Sequence, residues 1–183
     1  MAKNVRARQS AALATPTDLG ANATKDIAGG LNILGADVLA LWMKTKNFHW
    51  HVSGAHFRDL HLLFDEQAES ILESVDVLAE RVRRIGGTTL RSISHIGELQ
   101  TIADNNEEFV PPEQMIEQLL ADNRHMAERQ RAAVEICEKN QDLATANRIE
   151  EVLDATEKRV WFLFEITQDA MHATHTRPGE KAA

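Results

Sequence analysis

From Phe57 to Ile85 the chain returns an apolar side chain every three or four positions: Leu60, Phe64, Ile71, Leu72, Val75, Leu78 and Val82. That period is the one by which an α-helix buries a single stripe. Gly86-Gly87 then ends the pattern. A helix of this length needs long neighbours to cover its stripe, and three other segments offer them. Thr24, a residue able to cap a helix, opens a run to about Val52 carrying Ile27, Leu31, Leu34, Val38 and Leu41. Pro111-Pro112 opens another, to about Lys139, with Met115, Ile116, Leu119, Leu120, Met126, Ala133, Val134 and Cys137. The last runs from about Ala144 to His172, with Ile149, Val152, Leu153, Val160, Trp161, Leu163, Phe164 and Ile166.

The expected fold is therefore all-α, a four-helix bundle over residues 24–172, between a basic, polar N-terminal tail (1–23) and a polar C-terminal tail (173–183). Residues 88–111 are too long for a simple turn, and Ser92 or Ser94 can cap a short helix there reaching Ile102. A connection of this kind predicts a bundle with one long crossover.

Composition narrows the function. At 183 residues and 43% apolar, the chain can bury a good core as one domain. A net charge of −8 argues against a surface coated by nucleic acid. One cysteine, Cys137, excludes an internal disulfide framework. No apolar signal region and no run approaching about 18 apolar residues is seen. The expected location is the cytoplasm, with no membrane partner.

The chemistry concentrates between Asn47 and Glu80. Four of the eight histidines fall between His49 and His61. On the helix that follows, His61, Asp65, Glu69, Asp76 and Glu80 share an arc of about 100°. Imidazole and carboxylate together suit iron, manganese or zinc. His61 and Asp65 stand at i, i+4, and so do Asp76 and Glu80. Yet Asp65 and Asp76 are eleven residues apart, about 16 Å at helical rise. Metal–ligand bonds of about 2 Å cannot bridge that gap within one chain. Either two half-built sites exist, or a second subunit completes each. Antiparallel two-fold pairing of this helix, about an axis near Ser70 and Ile71, would oppose the halves and make two equivalent sites roughly 22 Å apart. The Glu-x-x-His motif of a di-iron centre inside one bundle occurs nowhere in the chain.

Asn47-Phe48-His49-Trp50, then His61-x-x-x-Asp65, then Asp76-x-x-x-Glu80-Arg81 and the Ile-Gly-Gly helix end closely resemble the Dps family, the DNA-binding proteins from starved cells, which are ferritin-like mini-ferritins. The match is best over about residues 44–87, and the helix pattern agrees over roughly 24–172. The resemblance implies a ferritin-like bundle assembled as a hollow homododecamer. It implies ferroxidase centres at two-fold interfaces, Fe(II) oxidised preferably by hydrogen peroxide rather than dioxygen, ferric mineral stored inside, and DNA thereby protected. Carried over, His49, His61 and Asp65 serve from one subunit and Asp76 and Glu80 from its partner, with zinc able to replace iron. Trp50 matches the tryptophan beside the family's centre, where it can absorb oxidising equivalents or simply pack at the seam. Asp142, Glu150 and Asp154 fall where the family lines its iron-entry pores, although Asn147 stands where some members are acidic. His51 and His56 are additional, with ordinary surface roles expected.

A second reading stays open. Lys3, Arg6 and Arg8 put three cations in the first ten residues, and a cationic tail can hold phosphate backbones without reading sequence. The protein could then be a nucleoid-associated DNA-coating protein. A third reading is a helical bundle of another kind that uses its acidic face for protein contacts.

Overall fold

The computed structural model describes residues 12–173, with side chains through 168. Among the described residues, five helices follow one another: α1 (Ala21–His51), α2 (Phe57–Arg84), α3 (Ile93–Leu99), α4 (Pro112–Lys139) and α5 (Leu143–Ala173). Among the described residues there is no strand. The four long helices are the four predicted segments, and α3 lies in the crossover.

α1 packs on α2 and α4 on α5, while α1·α4 and α2·α5 contacts join the two hairpins. Arg81 reaches Asp142, and Ser70 reaches Arg159. As residue numbers fall along α2 they rise along α5, so these two helices run antiparallel. The core is filled by Leu31, Leu34, Leu41 and Phe48 of α1, Phe64, Ile71 and Leu78 of α2, Met115, Leu119 and Met126 of α4, and Ile149 and Leu163 of α5. Each such side chain withdrawn from water stabilises the fold by about 1.5–3 kcal/mol.

Several expectations need correction. α1 begins at Ala21, with Gly20 at the cap position and no side-chain cap. Thr24 instead donates its N–H to the Gly20 carbonyl in the first turn. Residues before the helix are not free of the bundle, since Arg83 donates to the Leu13 carbonyl at 2.8 Å. Gly86, at φ +84°, turns so close to Thr15 that a Cβ there would stand 2.8 Å from the Thr15 oxygen. α1 is long and apolar enough on average to cross a membrane, but more than half of that stretch is buried. It is apolar on several sides because it packs against α2, α3 and α4 at once. α3 ends at Leu99 rather than Ile102, and Ser92 is its cap, its Oγ accepting from the His95 N–H. Leu72, Trp161 and Phe164, read as stripe residues, are 44%, 58% and 47% exposed. Their periodicity places them at the stripe margin, where an outward turn costs little local geometry.

The crossover is fixed by a residue the sequence did not single out. Asp37, fully buried in α1, accepts the Thr101 N–H, the Thr101 hydroxyl at 2.8 Å and the Ile102 N–H at 3.1 Å. The Thr101 proton being so used, His125 donates its Nε2–H to Thr101 Oγ1 at 2.9 Å. One carboxylate thus ties the crossover to α1, and its threonine ties it to α4.

Candidate metal centre

α1 ends at His51 and α2 begins at Phe57, with Gly54 at φ +106° in the turn between. The turn folds the last α1 residues against the first of α2. His49 donates from Nδ1 to the His61 carbonyl at 2.8 Å, and His61 donates from Nδ1 to the His49 carbonyl at 2.9 Å. A carbonyl only accepts, so both Nδ1 atoms must carry protons. In the neutral rings both Nε2 atoms therefore hold free lone pairs, which is the tautomer a metal ligand needs. The rings stack with centroids 3.9 Å apart and planes 21° apart. Each helix end fixes the other's imidazole.

Asp65 stands one turn beyond His61, with Oδ1 3.8 Å from His49 Nε2. The same oxygen accepts from Lys46 Nζ at 2.5 Å. Lys46 holds the Asp65 carboxyl below its ordinary pKa, its hydrogen bond outweighing the opposing effect of burial, and His49 and His61 add to the lowering. The structure thus brings His49, His61 and Asp65 together. It also brings Lys46, which the sequence reading passed over. Lys46 lies three residues before His49, and only the packing of α1 on α2 shows which carboxylate it meets.

Asp76 and Glu80 are not part of this group. Both are exposed further along α2, and Glu80 pairs with Arg84 of its own helix. Among the described residues, no three His, Cys, Asp or Glu side chains converge tightly enough to hold a metal by themselves. Leu62, between His61 and Asp65, and Leu72, between the two halves, are exposed, at 41% and 44%. Trp50, beside His49 in sequence, is 54% exposed.

The middle of the bundle does not offer a second centre. There Arg159, 6% exposed, donates to Asn123 Oδ1 at 2.9 Å, Ser70 Oγ at 3.1 Å and Thr156 Oγ1 at 2.8 Å. Gln130 joins through Thr156. A buried guanidinium occupies the position where a bundle-centred metal site would need carboxylates, and its charge repels a metal ion.

Of the three pore candidates, Asp142 has another task. It is 6% exposed, accepts the Thr145 N–H at 3.1 Å and the Thr145 hydroxyl, and pairs with Arg81 at 3.2 Å. It caps α5 and docks it on α2, so it is not a free pore carboxylate. Glu150 and Asp154 are exposed one turn apart on α5. His51 is exposed and donates to the Asn47 carbonyl, and His56 is exposed at the start of α2. Lys3, Arg6 and Arg8 lie outside the described residues.

A four-helix bundle with one long crossover has the ferritin-like architecture, and the family model for the ferritin-like domain matches residues 29–171. Within that class the chain belongs to the Dps family. The DNA protection during starvation protein of Halobacterium salinarum is 31% identical over 155 residues, covering 85% of this chain and 80% of that protein. DpsC from Streptomyces coelicolor superposes with a TM-score of 0.78 at 26% identity, covering 92% of this chain and 94% of that one. The Dps protein from Vibrio cholerae, described as a member of a broad superfamily of ferritin-like diiron-carboxylate proteins, shares the fold with a TM-score of 0.79 at 24% identity, covering 84% of this chain and 97% of that one.

Proposed function

We propose that this protein oxidises Fe(II) at centres shared between two subunits and stores the ferric product inside a hollow dodecamer. The observation that carries the reading is the reciprocal His49–His61 clasp, which leaves both Nε2 atoms free, that of His49 3.8 Å from Asp65 Oδ1. Asp76 and Glu80 supply the other half from a partner helix packed antiparallel, because one chain cannot bring its own two halves together. The exposed leucines Leu62 and Leu72 are suited to that contact.

The chemistry follows from the donors. Carboxylates favour Fe(III) over Fe(II), and the two imidazoles complete a mixed nitrogen and oxygen set. Two ferrous ions each give one electron to hydrogen peroxide, the O–O bond breaks, and two protons complete two waters. Taking both electrons at one centre avoids releasing hydroxyl radical. Dioxygen is the slower oxidant. Lys46 holds Asp65 while no cation is bound, and Fe²⁺ must displace the ammonium to reach Oδ1. Zinc competes for the same atoms. Trp50 stands next to His49 in sequence and serves as a local sink for oxidising equivalents. Glu150 and Asp154 line the entry for Fe²⁺, and the charge of −8 per chain concentrates cations. The decisive test follows Fe(II) oxidation by absorbance with and without peroxide. Wild type should accelerate it, most with peroxide, while His49→Ala and Asp76→Ala should not. No acceleration by wild type over buffer overturns the reading.

A second role, coating DNA through Lys3, Arg6 and Arg8, is favoured by the tail's charge and by the name DNA protection during starvation that the Halobacterium relative carries. Binding should be weak, independent of sequence and lost with added salt, since the body is acidic. A low-salt gel shift comparing the full chain with one lacking residues 1–20 tests it, and equal binding by both rejects the tail's role.

A further inference from the structure

The imidazole pair continues into a third ring. The Phe57 centroid is 5.1 Å from that of His61, with planes inclined by 31°. The two planes are thus nearer parallel than perpendicular, and His61 in turn stacks on His49. Phe57 is the first residue of α2 and sits one turn before His61. It is 46% exposed, so core burial does not account for its position.

We propose that Phe57 is a positioning residue that favours the metal-bound state of the His61 imidazole. The inference rests on the metal-centre reading above. His61 Nδ1 is committed to the His49 carbonyl, so Nε2 is the atom that meets the ion. A divalent ion there draws electron density from the ring and leaves it partly positive. The face of a phenyl ring is the negative part of its quadrupole. The contact is therefore stronger with metal bound than without, and this difference raises affinity. A cation–π contact at a half-exposed position corresponds to about a two- to fivefold gain in binding. Phe57 also packs against His61 one helical turn away, which restrains the ring.

Co²⁺ binding to the intact assembly tests this without turnover, by calorimetry and by the visible absorption of the bound ion. Phe57→Leu retains bulk without a π face, Phe57→Tyr retains the face, and Phe57→Ala removes both. Phe57→Leu and Phe57→Ala should bind about two- to fivefold more weakly than wild type, and Phe57→Tyr should restore the affinity. Wild-type affinity in Phe57→Leu, or no recovery in Phe57→Tyr, overturns the proposal. Failure of wild type to bind Co²⁺ at all would instead overturn the metal-centre reading beneath it.

Discussion

Lys46 on α1 and Asp65 on α2 meet at 2.5 Å, and the oxygen they share is the one 3.8 Å from His49 Nε2. The ammonium and an incoming metal ion compete for one atom. Lys46→Met should therefore bind Co²⁺ more tightly, by about two- to fivefold for a partly exposed pair, as calorimetry would show. The same substitution returns the Asp65 carboxyl toward its ordinary range. Its pKa is lowered in the folded wild type, so the pair's stabilisation is present above the unfolded value of about 3.9 and is lost as pH falls through the folded one. The difference between wild type and variant in urea midpoint should accordingly begin to shrink below about pH 4 and vanish once the pH is below the lowered folded value. A difference that persists there would show that Lys46 acts through packing.

Mixing subunits tests whether the centre is shared. His49→Ala and Asp76→Ala chains should each be inactive alone. In a dimer containing one of each, a single centre receives all its intact ligands. Random association would restore about a quarter of the wild-type centres, because half the dimers are mixed and each has one good site of two. Co-expressed chains that show no more activity than either variant alone would rule out sharing.

Arg159 holds α2, α4 and α5 together through three neutral oxygens. Burial lowers its pKa to about 10, which still leaves it charged at neutral pH. Arg159→Met would leave Asn123 Oδ1 without its donor inside the bundle. The expected loss is about 1–3 kcal/mol, read from chemical unfolding, with Fe(II) oxidation by the remaining folded protein unchanged. A loss of iron oxidation at full stability would move Arg159 into the site.

Cys137 is 1% exposed, and burial, reinforced by Asp142, raises its thiol to about 11. Thiolate is the reactive form, so a thiol reagent at pH 8 should leave the native protein unlabelled and react once urea unfolds it. Rapid labelling of the native protein would show that this end of α4 opens.

The four long helices were legible in the sequence because each buries one stripe at a period of 3.6, and local spacing is all that pattern needs. The two i, i+4 ligand pairs on α2 were legible for the same reason, and helical rise alone separated them. Thr24 misled because a capping residue type does not choose among neighbouring starts. The structure begins α1 three residues earlier, where Gly20 and the packed segment before it set the turn. Asp142 misled because a carboxylate near a helix start can face water or cap the helix, and its packing against Arg81 decided for the cap.

The sequence by itself determined the long-crossover bundle and the separation of the two i, i+4 pairs on α2, which no single helix can bring together. Both follow from distances along the chain. Tertiary structure decided which groups meet across the bundle: the carbonyls that fix the His49 and His61 tautomers, the lysine on Asp65 and the arginine on Asn123 in the bundle's middle. Those partners are 12, 19 and 36 residues apart in sequence. Such contacts are set by how helices pack and leave no periodic trace in the chain.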